Sequence, residues 1–147
     1  PSPAKDMLFD PKESLSFTGN TGPYLQYMGA RISSMLRKAD KGAGDAQGGE
    51  AKADFSLLVS DPEWELVKAA AGYPHAAAEA ASGLDPSRLT GYLYWLSKCF
   101  SRFYHECPIL NSGNPALSKA RLELSRAVML ILKDAFYLAN IPFLSVM

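Results

Sequence analysis

Apolar residues recur every three or four positions through most of this chain, the period of an α-helix, and no segment alternates with period two for long. The stretch from about 22 to 38 is the clearest case. Leu25, Met28, Ile32, Met35 and Leu36 share one side of a helical projection, while Tyr24, Tyr27, Arg31, Ser34 and Lys38 share another, offset by roughly 110°. Thr21 or Asn20 can cap this helix, and Pro23 suits its first position because the missing N–H is an orphan there anyway. Asp61-Pro62-Glu63 starts a second helix with Trp64, Val67 and Ala71 as its apolar side. Gly72-Tyr73-Pro74 breaks it, and an alanine-rich third helix runs to about Ser82. After Gly83-Leu84-Asp85-Pro86, a fourth helix carries Leu89, Tyr92, Leu93, Leu96, Phe100 and Phe103 at helical spacing until Cys107-Pro108. Asn114 caps and Pro115 opens the last helix, about 115–139. Leu117, Ala120, Leu124, Ala127, Val128, Ile131, Ala135 and Leu138 line one of its faces; Leu122, Met129, Leu132 and Phe136 line another. A helix apolar on most sides belongs in the middle of a bundle. The pattern predicts an all-α helical bundle of about five helices.

Three stretches fall outside that pattern. Residues 1–18 mix turn-forming polar residues with Met7, Leu8, Phe9, Leu15 and Phe17, and read as a connector whose apolar residues anchor on the domain or on a neighbour. Residues 39–53 hold Gly, Ala, Asp, Lys and Gln with almost nothing to bury, the composition of a flexible insertion. The tail Ile141-Pro142-Phe143-Leu144-Ser145-Val146-Met147 is too hydrophobic to stay in water and is expected to fold back on the bundle. Asn140 before it tolerates the left-handed conformation a helix end needs.

The length, 147 residues, suits one domain spanning 1–147, and no run approaches the length of a membrane span. The chain opens on proline rather than methionine, which reads as a domain excised from a longer protein. Fifteen basic and fifteen acidic residues cancel, so the chain is not one that grips nucleic acid through a general positive field. A local base-reading pocket stays open. Cys99 and Cys107 are the only cysteines, about 12 Å apart if on one helix, too far to bond. They read as reduced, partly buried thiols of a cytoplasmic protein. His75 and His105 have no ligand cluster around them and read as ordinary, partly exposed histidines; no P-loop glycine motif or His-Glu-x-x-His occurs. Asp61, Glu63 and Glu65 are explained by the dipole at a helix start.

The tyrosine side of the first helix is less easily dismissed. Tyr24, Tyr27 and Arg31 stack along one face, and flat rings beside a guanidinium can sandwich a splayed-out base, the usual mode of RNA-loop recognition. The same spacing also suits tyrosines wedged between helices with their hydroxyls at the rim, and Tyr94 and Tyr104 share that ambiguity.

The run Gly19-Asn20-Thr21-Gly22-Pro23-Tyr24-Leu25-Gln26-Tyr27, followed by Ala30-Arg31-Ile32, resembles arginyl-tRNA synthetases, specifically their C-terminal anticodon-binding domain. Tyr73-Pro74, Tyr92-Leu93-Tyr94, Phe103-Tyr104-His105-Glu106-Cys107-Pro108, Ala120-Arg121-Leu122-Glu123-Leu124 and the ending on Met147 support it, so that it spans almost the whole chain. Three departures from the family pattern are Asn140 in place of glycine, Met28-Gly29 in place of alanine and histidine, and the glycine-rich insertion at 39–53.

The resemblance implies a helical bundle that grips the anticodon loop of arginine tRNA, with a pocket for the middle anticodon base, a cytosine. Carried onto this chain, the pocket residues are Tyr24, Tyr27, Arg31 and Met147, with Tyr104 contributing from a neighbouring helix. It further implies a parent enzyme that attaches arginine to its tRNA using ATP and Mg, with no catalytic residue and no cofactor in the present residues. The class signatures, a His-x-Gly-His-type motif and a lysine-serine loop, do not occur here. The expected partners are arginine tRNA and the catalytic domain of the same chain, with no membrane and no DNA. The alternative is a helical protein-interaction or scaffold domain. Zero net charge implies a shallow salt dependence of RNA binding.

Overall fold

A computed structural model describes residues 6, 8, 10–42 and 52–147, and these contain helices and loops without a strand. Met7 and Phe9 lie outside the described residues. Element by element, the order is α1 (Pro11–Ser14), α2 (Gly22–Gly42), a single 3₁₀ turn (Phe55–Leu57), α3 (Asp61–Ala71), α4 (Tyr73–Ser82), α5 (Pro86–Glu106) and α6 (Pro115–Leu138). The five long helices are those the periodicity predicts. α5 packs against α3 and α4, α6 packs against α2 and α3, and α5 meets α6 and α2.

α2, α5 and α6 start on the capping residues the sequence offers, whereas α3 is capped by Ser60, one residue before Asp61, and α4 follows Gly72 with no side-chain cap. Thr21 Oγ1 accepts from the Tyr24 N–H at 3.3 Å while donating to the Ser16 carbonyl, tying the cap to the preceding loop. Asp85 and Asn114 cap α5 and α6 through their side chains, each followed by proline. α6 ends on Asn140 with φ 53°, and the Ile141 and Asn140 N–H groups bond back to Phe136 and Tyr137, the Schellman arrangement. Asparagine therefore fills the left-handed position without difficulty. Leu84 holds the same conformation after α4, with φ 48° and its side chain 88% exposed. A leucine there is strained and buries nothing. Leu84→Gly is expected to raise stability by about 0.5–1 kcal/mol, relief of the strain outweighing glycine's extra freedom in the unfolded chain; an unchanged or lower urea midpoint would count against that strain.

The core is built from Met28 and Ile32 of α2, Leu66 of α3, Leu93, Leu96, Phe100 and Phe103 of α5, and Val128, Leu132 and Phe136 of α6. Leu25, Met35 and Leu36 are buried too, so the whole expected face of α2 goes inward. Three expectations shift. α2 continues through residues 39–42, where Asp40 meets Arg126 of α6 at 2.7 Å, so the stretch read as a flexible insertion starts as helix; residues 43–51 lie outside the described residues. α3 buries Pro62, Glu63, Leu66 and Ala69, leaving Trp64 52% exposed and Ala71 exposed. Its inner face is thus turned by about one residue, roughly 100°, from the predicted one. α6 is covered by α2, α3 and α5, yet Leu130, Tyr137 and Leu138 face solvent, Tyr137 at 82%.

The turn of α3 has a cause. Glu63 is 1% exposed and its Oε1 lies 2.6 Å from Nε of Arg121, itself buried on α6. Its other oxygen accepts from the Ser60 N–H at 2.8 Å, and Arg121 also donates to the Pro108 carbonyl at 2.8 Å. One buried pair thereby joins the start of α3, the second turn of α6 and the loop after α5. Burial raises the Glu63 carboxyl's pKa, but the bonds from Ser60 and Arg121 outweigh it and hold the group below its ordinary range. Cys99 and Cys107 are free and buried, and burial, with Glu65 nearby, pushes the Cys99 thiol up to about 11. Such a thiol stays protonated and unreactive near neutrality. Leu8, Leu15 and Phe17 are exposed, so the apolar residues described in the connector do not anchor on this bundle.

Candidate nucleic-acid interface

The outward face of α2 does not point into open water along its whole length. α5 lies beside it, and their contacts advance together: Tyr24 packs edge-on against Tyr94 with ring centroids 5.6 Å apart, Ser101 Oγ reaches Met28 Sδ at 3.7 Å, and the Arg31 guanidinium lies 4.5 Å over the Tyr104 ring. Beyond this seam the chain end comes back. Residues 141–147 run along α2, with Gln26 Nε2 donating to the Pro142 carbonyl at 3.1 Å and Arg37 Nη1 donating to the Ser145 carbonyl at 2.9 Å. Phe143 packs on Phe136 at 5.8 Å between centroids and has Lys133 over its ring. It also sits over Gly29, where an added Cβ would be 2.9 Å from the Phe143 ring. The glycine at this position thus leaves room for the tail's ring.

Between α2, Tyr104, Leu110 and the tail lies an open cavity of about 470 Å³. Tyr27, Arg31, Tyr104 and Met147 all line it, so four of the five residues singled out from the sequence come together from three separate parts of the chain. The fifth does not. Tyr24 is half-buried one turn away, its ring engaged with Tyr94, and does not line the cavity. A single turn of helix separates a tyrosine whose ring is taken by Tyr94 of α5 from one that is 43% exposed and lines the cavity.

The electrostatics of the cavity differ from those of the chain as a whole. Arg31, Arg37 and Lys38 line it, and no acidic side chain is among its described lining residues. A neutral chain therefore carries a local concentration of three cations beside two tyrosine rings. The Arg31 guanidinium lies over the Tyr104 ring, an arrangement favourable for a cation and an aromatic face. Arg37, Ser34, Leu110 and Val146 also line the cavity, with Ala30 and Met35 beneath. Among them Arg37 carried no signal in the sequence, since an arginine near a helix end reads as a solvated charge. Elsewhere the histidines are exposed, His75 lying 3.7 Å from Glu79, and no group of three or more His, Cys, Asp or Glu among the described residues could hold a metal ion. No helix among them is long and apolar enough to cross a membrane.

This bundle, with its cavity bordered by the returning chain end, defines a known class of domain: residues 25–147 match the DALR anticodon binding domain, and the chain belongs to that family. It is 58% identical over 146 residues to the arginine–tRNA ligase of Treponema pallidum subsp. pallidum, an alignment covering 99% of this chain and 25% of that protein. It is 43% identical over 140 residues to the arginine–tRNA ligase of Borreliella burgdorferi, covering 95% of this chain and 23% of the relative. Among solved structures, Thermus thermophilus arginyl-tRNA synthetase superposes with a TM-score of 0.84 at 31% identity, over 99% of this chain and 24% of that one. The chain spans about a quarter of the length of the relatives it matches.

Proposed function

We propose that this chain is the tRNA-reading part of an arginine–tRNA ligase, and that the cavity between α2 and the tail receives the middle base of the anticodon. The observation that carries the reading is the placement of Tyr27, Arg31, Tyr104 and Met147 around one cavity with three cations and no acidic side chain among its described lining residues. A base splayed from the loop enters beside the tyrosine rings and stacks, with Met147 as an adaptable apolar wall. Arg31 supplies donors and no acceptor, so it addresses the acceptor atoms on the pairing edge of cytosine and disfavours uracil, whose ring N–H points the same way. Arg37 and Lys38 lie where flanking phosphates pass. The parent enzyme works in the cytoplasm and joins arginine to its tRNA at the expense of ATP with Mg; that chemistry belongs to the rest of the same chain, and no residue set described here fits a metal.

The test is binding of the chain to arginine tRNA and to the same RNA with its middle anticodon base changed. Tyr27→Ala is expected to cost about 1–3 kcal/mol, the value of one lost stack, and Tyr24→Ala markedly less because its ring is spent on Tyr94. With up to two single-strand phosphates neutralised, by Arg37 and Lys38, log K should fall with log salt with a slope of about −1.4. Equal affinity of the unmodified chain for both RNAs would overturn base reading. The chain by itself is expected to give no ATP–pyrophosphate exchange.

A further inference from the structure

Met147 cannot hold its own position. It is 57% exposed and Val146 is 71% exposed, so little apolar burial fixes either. The tail is instead tied at intervals: Gln26 holds the Pro142 carbonyl, Phe143 is wedged against Gly29 and Phe136, and Arg37 holds the Ser145 carbonyl. Arg37 is the last of these ties before Met147. It also lines both the cavity and a second hollow bordered by Phe143 and Ser145, so its side chain reaches across the tail rather than away from it.

We propose that Arg37 is a positioning residue of the base cavity, acting through the Ser145 carbonyl to keep Met147 in place as a wall. The proposal rests on the reading of the cavity as a base site. Without the tie, the last firmly packed residue is Phe143, and four residues at up to about 3.5 Å each give the chain end enough reach to leave the cavity. The wall would then be present only part of the time, and a base of any kind would be accepted with less discrimination. A guanidinium suits the task because it is always charged and offers several donors, so one can hold the carbonyl while others face the cavity.

The experiment uses the chain labelled with ¹³C at its methionine methyl groups. In the unmodified protein the Met147 methyl is expected to show a ring-current shift and a nuclear Overhauser contact to the Tyr27 or Tyr104 ring. Arg37→Leu should move the Met147 signal to its random-coil position and erase that contact, while the buried Met28, Met35 and Met129 signals stay where they are and report an intact fold. Arg37→Lys, which keeps a donor for the carbonyl, should restore much of the contact. Gly29→Ala, which displaces Phe143, should loosen Met147 without touching Arg37. In RNA binding, Arg37→Leu should lower the preference for cytosine at the middle position about tenfold, and Met147→Ala should lower it similarly, with no further loss on combining the two. An unchanged Met147 signal in Arg37→Leu overturns the proposal. So does an equal, additive loss of affinity for both RNAs, which marks Arg37 as a phosphate contact alone. If the unmodified chain shows no base preference, the base-site reading fails, while the methyl signals still decide whether Arg37 holds the tail.

Discussion

Arg121→Met is expected to lower the stability of the chain by about 3–5 kcal/mol, the cost of leaving a buried carboxylate without its partner. Few surface changes approach that figure, and it is a large part of the roughly 5–15 kcal/mol that holds a domain folded. Glu63→Leu should cost about as much from the other side, because Arg121 keeps only the Pro108 carbonyl. Changing both residues together should restore most of the loss, since two apolar side chains of similar volume need no charge compensation. The pair also sets a pH dependence. The Glu63 carboxyl is held below its ordinary value of 4.5 in the folded chain, so its contribution is fully present above that value. It is lost as pH falls through the lower, folded-state pKa. Urea midpoints at pH 7 and near pH 3 should therefore diverge more for the unmodified chain than for the double variant. A double variant as unstable as either single change would show that the residues act by shape rather than by charge.

That pair also marks the limit of what pattern can show. Glu63 follows a proline at a helix start, where an acid has a sufficient reason in the dipole, and Arg121 looks like any basic residue on a long helix. Nothing local says that they meet across 58 residues. Once they do, α3 turns inward on Glu63 and Leu66, and Trp64, an apolar anchor by periodicity, goes to the surface. α2 was legible because its apolar stripe is continuous and its capping residues are adjacent in sequence; all five predicted inner residues are buried. The hydrophobicity of the tail foretold that it would fold back, and Asn140 foretold where it would leave the helix.

The cavity was legible only through resemblance. Tyr27 and Met147 are separated by almost the whole chain, and no periodicity connects them. Tyr24 shows the opposite failure: it shares a face and a spacing with Tyr27, yet Tyr94 on α5 takes its ring. Helical spacing reports which side a residue is on, and only the neighbouring helix decides whether that side is free. Gln26 and Arg37 were invisible for a related reason, since their partners are backbone carbonyls that carry no side-chain identity to match.

Phe136→Ala is expected to remove about 3–5 kcal/mol of stability and, unlike most core truncations, to act on the cavity as well. Phe136 is fully buried, and its ring supports Phe143, which in turn lies over Gly29 and anchors the returning tail. Removing the ring empties a space in the core and takes away the floor on which Phe143 rests. Phe143→Ala offers the comparison. Phe143 is only half-buried, so its truncation should cost about 1–2 kcal/mol, within the ordinary range for single substitutions. Its effect on the tail should nevertheless equal that of Phe136→Ala, because both break the same contact. Urea midpoints measure the first effect, and amide exchange at residues 143–147 measures the second. If exchange at the tail is unchanged in both variants, Gln26 and Arg37 alone hold it; if it rises only in Phe136→Ala, the tail follows global stability rather than the Phe143 contact. A large difference in stability beside an equal rise in exchange would show that the core and the cavity wall meet at one aromatic pair.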